Sequence, residues 1–183
     1  MAHRFHPDWL PPSSIHNYLP GNHRSAGRLL GRRLRSVTRL LGVPAEAEPR
    51  LECGPALLTS HDGEQWLVDT EESKANVLFF PDVTRTLADS SWYSGLTIQA
   101  PIAEQIPGHP LRCLVTEPIA RVEVISREPE SGVPDSFAMC GLRLTTTSGT
   151  RICVGTHLTD LMLSELAFRT PAEVGTGLSY APL

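Results

Sequence analysis

Apolar and polar residues alternate through residues 141–154 and are interrupted once, at Thr147-Ser148-Gly149. Side chains at every second position of a strand point to the same face, so the alternation predicts two antiparallel strands joined by a tight loop. A three-residue loop gathers the apolar side chains on one face and gives Gly149 the position at which a positive φ is favoured. In this register the apolar pairs are Leu144 with Ile152 and Leu142 with Val154, and the other face carries Arg143, Thr145, Arg151 and Cys153.

The same pattern occurs in residues 56–68, where His61-Asp62-Gly63 forms the predicted loop. Gly63 again takes the third loop position, and His61 is a solvent-exposed loop residue in this interpretation. The predicted opposite pairs are Ala56 with Val68, Leu57 with Leu67 and Leu58 with Trp66. Two hairpins of one type indicate an antiparallel sheet.

Shorter apolar runs, separated by Pro, Gly and Ser, extend this pattern along the chain. Further strands are predicted at residues 76–80, 96–99, 111–115 and 119–126, with weaker signals at 166–168 and 178–182. Residues 82–93 have the composition of one or two helical turns, and Thr170, Pro171 and Glu173 form a helix-start pattern. The predicted fold is therefore mainly β: an antiparallel sheet arranged as a sandwich or as a partly open barrel.

A different spacing occurs between Ser25 and Gly42, where apolar residues recur at intervals of three and four. The apolar positions are Leu30, Leu34, Val37 and Leu41, and arginines repeat the spacing two positions away, at Arg28, Arg32, Arg35 and Arg39. Two positions correspond to roughly 200° around a helix, so the spacing predicts an amphipathic helix at about 25–41 with a leucine face and an arginine face. Such a helix binds nucleic acid, a membrane surface or an acidic protein groove, or packs on its own domain.

Charge is distributed unevenly over the 183 residues. Residues 1–50 have a formal charge of +5 and residues 51–183 one of −9, which gives the chain its net charge of −4. The predicted organisation is a Pro-, His- and Arg-rich N-terminal arm at 1–43, a linker at 44–50 and an acidic β-rich domain at 51–183. An acidic domain attracts a basic partner.

The sequence contains none of the spaced motifs of common catalytic or metal sites. Its four cysteines include no C-x-x-C pair, and its histidines are irregularly spaced, so neither a metal site nor a cofactor is predicted. His157 and Asp160 are the best candidates for a base and the group that orients it. Asp160 is better explained as an acceptor for backbone amides in the turn that follows a strand, so no catalytic residue is assigned.

Two aromatic and three acidic residues give the clearest signal for partner binding. Trp92 and Tyr93 lie in the Ser-rich sequence DSSWYSG, and Asp69, Glu71 and Glu72 follow the first hairpin. Trp and Tyr are enriched among the residues that dominate protein interfaces, and an acidic run attracts a basic partner. These five residues are the predicted protein-binding site, and Arg28, Arg32, Arg35 and Arg39 form the predicted surface for an anionic partner.

These observations favour a non-enzymatic protein-binding module. Small acidic bacterial proteins that neutralise a partner, such as toxin-immunity proteins, share its size, charge and predicted architecture, so an immunity-type function toward a basic partner is the first hypothesis. The alternatives are a nucleic-acid or membrane-surface adaptor acting through the arginine helix, and an enzyme with a dispersed site near His157 and Asp160. The identity of the partner and the oligomeric state stay open.

The expected location is the cytoplasm. No apolar run reaches the roughly 20 residues of a membrane span, and the N-terminus lacks the basic start and apolar core of a secretory signal. Scattered cysteines in a reducing compartment are usually small buried hydrophobes.

Overall fold

In the computed structural model, the described residues are 15–42, 53–71, 76–81, 83–89, 96–98, 108–128, 137–162 and 164–183. The described strands are β1 (Leu34–Gly42), β2 (Ala56–Ser60), β3 (Gln65–Glu71), β4 (Asn76–Phe80), β5 (Leu96–Ile98), β6 (Ile119–Arg127), β7 (Gly141–Thr146), β8 (Arg151–Gly155), β9 (Ala167–Arg169) and β10 (Leu178–Pro182). The described helices are α1 (Ile15–Gly27), α2 (Val83–Asp89) and α3 (Arg112–Thr116), and a 3-10 turn spans Pro171–Glu173.

The strands form two antiparallel sheets that share one core. The first sheet has the order β4-β3-β2-β1-β5 and the second the order β10-β6-β7-β8-β9. Neither sheet closes into a barrel over the strands that are described. The core between them includes Val37, Leu58, Trp66 and Phe79 from the first sheet and Val122, Leu142, Leu144 and Ile152 from the second. The predicted mainly β fold is confirmed, as two layers of sheet around a shared apolar interior.

Both predicted hairpins are present in the predicted register. The opposite pairs include Leu144 with Ile152 in the β7–β8 hairpin and Leu58 with Trp66 in the β2–β3 hairpin. Gly149 and Gly63 have φ angles of 87° and 88°, in the region that favours glycine. The three-residue loop predicted from the alternation is therefore the loop that closes each hairpin.

Several shorter predictions are also confirmed. Strands occupy residues 76–80, 96–98, 119–127, 167–169 and 178–182. α2 supplies the helical turns predicted within residues 82–93. At the predicted helix start, Oε2 of Glu173 accepts hydrogen bonds from the backbone N and from Oγ1 of Thr170, both at 2.7 Å.

The predicted arginine–leucine helix at 25–41 is wrong. α1 ends at Gly27, and residues 34–42 form β1, which pairs with β2 on one side and with β5 on the other. A bulge between Leu34 and Ser36 shifts the alternation, so that Leu34 and Val37, three positions apart, both contribute to the shared core. The bulge thus gives a strand the apolar spacing that is typical of a helix.

Burial on both faces makes β1 harder still to predict. Val37 and Arg39 lie opposite Leu58 and Ala56, on the face toward the second sheet, and the Arg39 side chain is fully buried. Leu40 belongs to a second apolar cluster on the other face of the same sheet. A strand covered on both sides shows no polar alternation, so its sequence lacks the pattern that identified the two hairpins.

Residues 111–115, predicted as a strand, also form a different element. Arg112–Thr116 is the short helix α3, and Leu114 N donates to Leu111 O at 3.0 Å. Leu111 and Leu114 are both buried in the shared core. An apolar run of this length is compatible with a strand or with a buried helical turn, and the three-residue spacing of the buried leucines fits the turn.

α1 lies in the Pro- and His-rich part of the chain, where the sequence predicts no helix. Two contacts attach it to the first sheet. Trp66 Nε1 donates to the Ser25 carbonyl oxygen at 3.1 Å. The side-chain amide of Asn22 bonds the backbone of β4, since its Oδ1 accepts from Phe79 N at 2.6 Å and its Nδ2 donates to Val77 O. The part of the predicted N-terminal arm before α1 and the predicted linker at 44–50 lie outside the described residues.

Candidate functional site

The residues predicted to bind a basic partner do not form a described acidic surface. Trp92, Tyr93 and Glu72 lie outside the described residues, as does the side chain of Glu71 at the end of β3. Asp69 is buried in β3, where its Oδ1 accepts a hydrogen bond from the following backbone N–H at 2.8 Å. Asp69 is therefore part of the interior of the fold, and its assignment to a surface run is wrong.

The four arginines assigned to one helix face occupy three different environments. Arg28 and Arg32 follow α1, and both form ion pairs with Glu64, which lies beside the β2–β3 loop. Arg35 is exposed on β1, whereas Arg39 is buried on the inner face of the same strand. The common arginine surface predicted from the helical spacing is therefore wrong, because the helix ends at Gly27 and residues 34–42 form a strand.

Asp160 accepts a hydrogen bond from a backbone amide, but the donor lies on a distant segment and not in the turn that follows the strand. Its Oδ1 accepts a hydrogen bond from the Thr176 backbone N at 3.0 Å. His157 has a φ of 52°, its Nδ1 lies 2.7 Å from Thr156 Oγ1, and its ring meets the edge of the Phe137 ring at 5.3 Å between centroids. These contacts place both residues in loops beside an apolar cluster on the second sheet. The dispersed enzyme site stays a prediction.

Two of the four cysteines belong to that apolar cluster. Cys140 and Cys153 are buried there beside Ile125. Burial raises the pKa of the Cys140 thiol to about 12 and that of the Cys153 thiol to about 11, so both stay protonated at neutral pH. They act as small apolar side chains, as the sequence predicted for cysteines without a metal-binding spacing.

The strongest candidate among the described residues is a group of arginines on the outer face of the second sheet. Residues directly opposite each other on neighbouring strands share a face. Arg121 of β6 lies opposite Thr145 of β7, which in turn lies opposite Arg151 of β8. In the adjacent row, Glu123 of β6 lies opposite Arg143 of β7. Together with Tyr180 of β10, these residues form a surface that we call the basic face.

Glu123 organises the basic face, although only 4% of its side chain is exposed. Its Oε2 accepts from Arg143 Nε at 2.7 Å, its Oε1 accepts from Arg143 Nη2 at 2.8 Å, and Arg121 Nη2 lies 3.0 Å from the same Oε1. The hydrogen bonds from Arg143 hold the pKa of Glu123 below its usual value, and the same bonds raise the pKa of Arg143. Both partners therefore stay charged at neutral pH.

Tyr180 fixes the Arg143 side chain from another direction. The guanidinium carbon of Arg143 lies 3.8 Å from the centre of the Tyr180 ring, a cation–π contact. Burial raises the pKa of the Tyr180 hydroxyl, which is therefore neutral and available as a hydrogen-bond donor. Tyr180 as a whole remains 37% exposed, so part of it is accessible on the surface.

The exposed charge of the basic face is positive. Arg121 has 58% of its side chain exposed, and Arg151 is also exposed. The Cα atoms of Arg121 and Arg151 are roughly 10 Å apart, because β7 lies between their strands, β6 and β8. Three arginines and one glutamate give the face a formal charge of +2 in a chain whose net charge is −4. Such a surface attracts negatively charged groups.

Part of this surface is contained in the sequence pattern. The hairpin register already places Arg143 and Arg151 on the same side of the β7–β8 pair. Arg121, Glu123 and Tyr180 join them because β6 pairs with β7 and β10 pairs with β6, and those pairings connect segments far apart along the chain. The sequence therefore indicated the polar face of the β7–β8 hairpin, but not the neighbouring strands that complete the basic face.

Comparisons with protein-family models, with curated proteins and with solved structures give no match to this chain. Within the described residues, no group of three or more His, Cys, Asp or Glu side chains is arranged to hold a metal ion. No helix in the described part of the chain has the length and apolar character needed to cross a membrane.

Proposed function

We propose that this protein is a non-enzymatic protein-binding module that recognises an acidic segment of its partner through the basic face. One observation carries the proposal: the exposed guanidinium groups of Arg121 and Arg151 flank an Arg143 side chain that Glu123 and Tyr180 already hold in place. A side chain ordered before binding loses little conformational entropy when the complex forms. Arginine also binds carboxylates in a two-pronged geometry, which suits it to Asp and Glu side chains.

A protein partner fits this face better than a nucleic acid. Arg and Tyr are the residue types enriched at the energetic centres of protein interfaces. Binding of single-stranded nucleic acid relies on aromatic platforms for successive bases, whereas Tyr180 is the one aromatic side chain of the basic face and already contacts Arg143. The net charge of −4 also opposes long-range attraction of a polyanion.

The partner proposed here has the opposite charge to the partner of the immunity-type hypothesis. That hypothesis depends on Trp92, Tyr93 and the acidic run, most of which lies outside the described residues. It stays a proposal, as does the cytoplasmic location. The basic face favours an acidic partner because its exposed charged groups, Arg121 and Arg151, are arginines.

The first experiment measures binding of the full chain to a fluorescein-labelled peptide rich in Asp and Glu. The double variant Arg121→Glu/Arg151→Glu reverses the two exposed charges of the face. We expect it to weaken binding by about tenfold or more, and added salt to weaken binding of the parent protein. Arg112→Glu is the matched control, because it reverses an exposed arginine on α3, away from the face.

Two further probes separate the competing functions. A Lys-rich peptide tests for a basic partner, and single-stranded DNA tests for nucleic acid. Preference for the Lys-rich peptide, unaffected by the double variant, would overturn the proposal in favour of an immunity-type surface elsewhere. Tighter binding of DNA than of the acidic peptide would support an adaptor function instead. Circular dichroism of each variant shows whether the sheet is intact.

A further inference from the structure

Strand β10 lies at one edge of the second sheet. It pairs with β6 on one side, and no described strand pairs with it on the other. Most of its residues are exposed to solvent, namely Ser179, Tyr180, Ala181 and Pro182. An accessible edge strand carries backbone N–H and C=O groups that its own sheet does not use, and an extended segment of another chain binds by pairing with them. β10 is therefore a candidate docking edge.

The other described edges differ, because the chain covers them or because they are short. At β4, the side-chain amide of Asn22 bonds the backbone of Val77 and Phe79. At β9, which has three residues, Ala167 forms a bridge with Cys53. β5 also has three residues. Among the edges that the structure describes, β10 thus combines length with exposure.

The pairing with β6 determines which backbone groups of β10 point outward. Leu183 continues the β10 register, and its N donates to Val122 O at 3.2 Å. Positions that bond the partner strand alternate with positions that do not, so Leu178, Tyr180 and Pro182 direct their backbone groups away from β6. Proline is confined to such outward positions of edge strands, because it has no N–H. The edge therefore offers two N–H groups, at Leu178 and Tyr180, and three carbonyl oxygens.

The sheet beside this edge is positively charged on its outer face. The charged residues of β6 and β7 all lie on that face, and they are Arg121, Glu123, Arg127 and Arg143. The contact of Arg143 with the Tyr180 ring brings its charge from β7 toward the edge. β10 itself has no charged side chain. The excess of arginines favours an acidic added strand and opposes a second copy of β10, which would place two such faces side by side.

Apolar side chains are exposed on the other face of the same edge. Leu183 shares that face with Val122, and a cavity of about 200 Å3 lies beside it. The cavity is lined by Gly27, Leu30, Ala120, Arg121, Val122, Pro182 and Leu183. Leu30 is 55% exposed and Leu183 is 41% exposed, although large apolar side chains are rarely exposed in the described part of the chain. Exposed apolar side chains that adjoin one another are typical of an interaction surface.

We propose that an acidic, extended segment of a protein partner adds to β10 as an antiparallel strand. This inference rests on the proposed function, since it gives the acidic segment recognised there a conformation and a position. Side chains of an added strand alternate between its two faces. Those opposite Tyr180 and at every second position point to the outer face, where Asp or Glu meets the arginines. The others point to the side of Leu30 and Leu183, so the recognised segment alternates acidic and apolar residues.

The test measures binding of the full chain to fluorescein-labelled peptides in which Glu and Val alternate. In the proposed arrangement, the Glu residues lie opposite Leu178, Tyr180 and Pro182, so the Glu N–H groups face β10 and the Val N–H groups face solvent. N-methylation of the Glu residues should therefore weaken binding about tenfold or more. N-methylation of the Val residues adds the same methyl groups and is the matched control, which should change binding little.

Leu30→Ser tests the apolar side of the edge, at an exposed position. It should weaken binding of the Glu/Val peptide about threefold or more, because part of the apolar contact is lost. A peptide in which Glu alternates with Ser is the control, and its binding should be unchanged by this variant. An equal effect of Leu30→Ser on both peptides would contradict the proposed orientation of the added strand.

Two outcomes separate this inference from the proposed function. If both N-methylated peptides bind alike while Arg121→Glu/Arg151→Glu still weakens binding, the added strand is wrong and the proposed function stands. If neither the Glu/Val peptide nor the Asp/Glu-rich peptide binds, both are wrong. A parent chain that sediments as a dimer, together with a monomeric Tyr180→Pro variant that lacks one outward N–H, would show that a second copy occupies the edge and would also overturn the proposal.

Discussion

Arg143 donates two parallel hydrogen bonds to Glu123 across the β6–β7 pair, at 2.7 and 2.8 Å, and both residues lie on the outer face of the second sheet. This two-pronged contact fixes the orientation of both side chains. Glu123 is almost fully buried beneath the arginines, so its charge is compensated by Arg143 and Arg121. The contact therefore links the stability of the sheet to the arrangement of the proposed binding face.

The substitution Glu123→Gln should reduce stability in a pH-dependent way. The pKa of Glu123 is lowered in the folded protein, so ionisation of this group stabilises the fold above its unfolded pKa of about 4.3. We expect the variant to be about 1–2 kcal/mol less stable than the parent at pH 7. The stability difference between the parent and the variant should shrink as the pH falls below the unfolded pKa and then through the lower folded pKa. At that point Glu123 is neutral in the parent as well.

Urea unfolding of both proteins at neutral and acidic pH measures this difference. Glu165→Gln, at an exposed position outside the strands, is the control and should leave stability nearly unchanged at either pH. A stability gap for Glu123→Gln that is the same at both pH values would show that ionisation of Glu123 does not contribute.

Asn22→Ala should detach α1 from β4. Asn22 bonds the backbone of Val77 and Phe79, so its removal leaves two buried peptide groups without these partners. Each such group costs about 1–3 kcal/mol, and we expect a total loss of about 3 kcal/mol. Hydrogen exchange should accelerate at the Phe79 amide in particular. Gly21→Ala, at the exposed neighbouring helix position with open space around it, should be neutral or slightly stabilising. Unchanged protection of Phe79 would contradict this role for Asn22.

Gly149→Val should destabilise the β7–β8 hairpin by about 2 kcal/mol, because Gly149 has a φ of 87°. A Cβ at this position meets no atom within 4 Å, so the loss comes from backbone strain and not from a clash. Gly149→Asn should lose less, since Asn tolerates this conformation better than a β-branched residue. The measurement is thermal unfolding of both variants. Equal melting temperatures for Val and Asn would rule out strain as the cause.

Gly155→Ala should destabilise the fold for a different reason. Gly155 lies opposite Gly141, and a Cβ on Gly155 would lie 2.4 Å from the Cys140 carbonyl oxygen and 2.7 Å from Gly141 Cα. Backbone atoms cannot rotate away as a side chain does, so we expect a loss of roughly 3 kcal/mol in chemical denaturation. Gly149→Ala, which adds the same methyl group in open space, should lose less. A larger loss for Gly149→Ala than for Gly155→Ala would contradict the close packing of this strand pair.

The hairpins could be predicted because their information is local. Within 141–154 the alternation, the loop length and one glycine all agree on a single register, and no distant segment is needed to choose it. The same local reasoning identified the helix start at Thr170. It also placed Arg143, Thr145 and Arg151 together, on one side of the basic face.

The segment 34–42 was misread because its environment is set by distant residues. The bulge opposite Ser60 brings Leu34 and Val37 to the same face, and Arg39 lies on the buried side of a strand that is covered on both faces. None of these features produces the alternation of apolar and polar residues by which a strand is identified in a sequence. Arg39 is the clearest case, since the helical spacing predicts an arginine on the polar surface and the side chain is instead buried against Phe168.

The sequence by itself thus determined the mainly β class, both hairpin registers and the exclusion of common catalytic motifs, because these depend on neighbouring residues and on φ preferences. Tertiary structure alone decided that β1 joins the first sheet, that α1 is attached through Asn22, and that β6 lies beside β7 with β10 beside β6. The basic face arises from those long-range pairings. The physical reason is that a side chain's charge environment depends on the strands beside it, whose identity the local sequence does not encode.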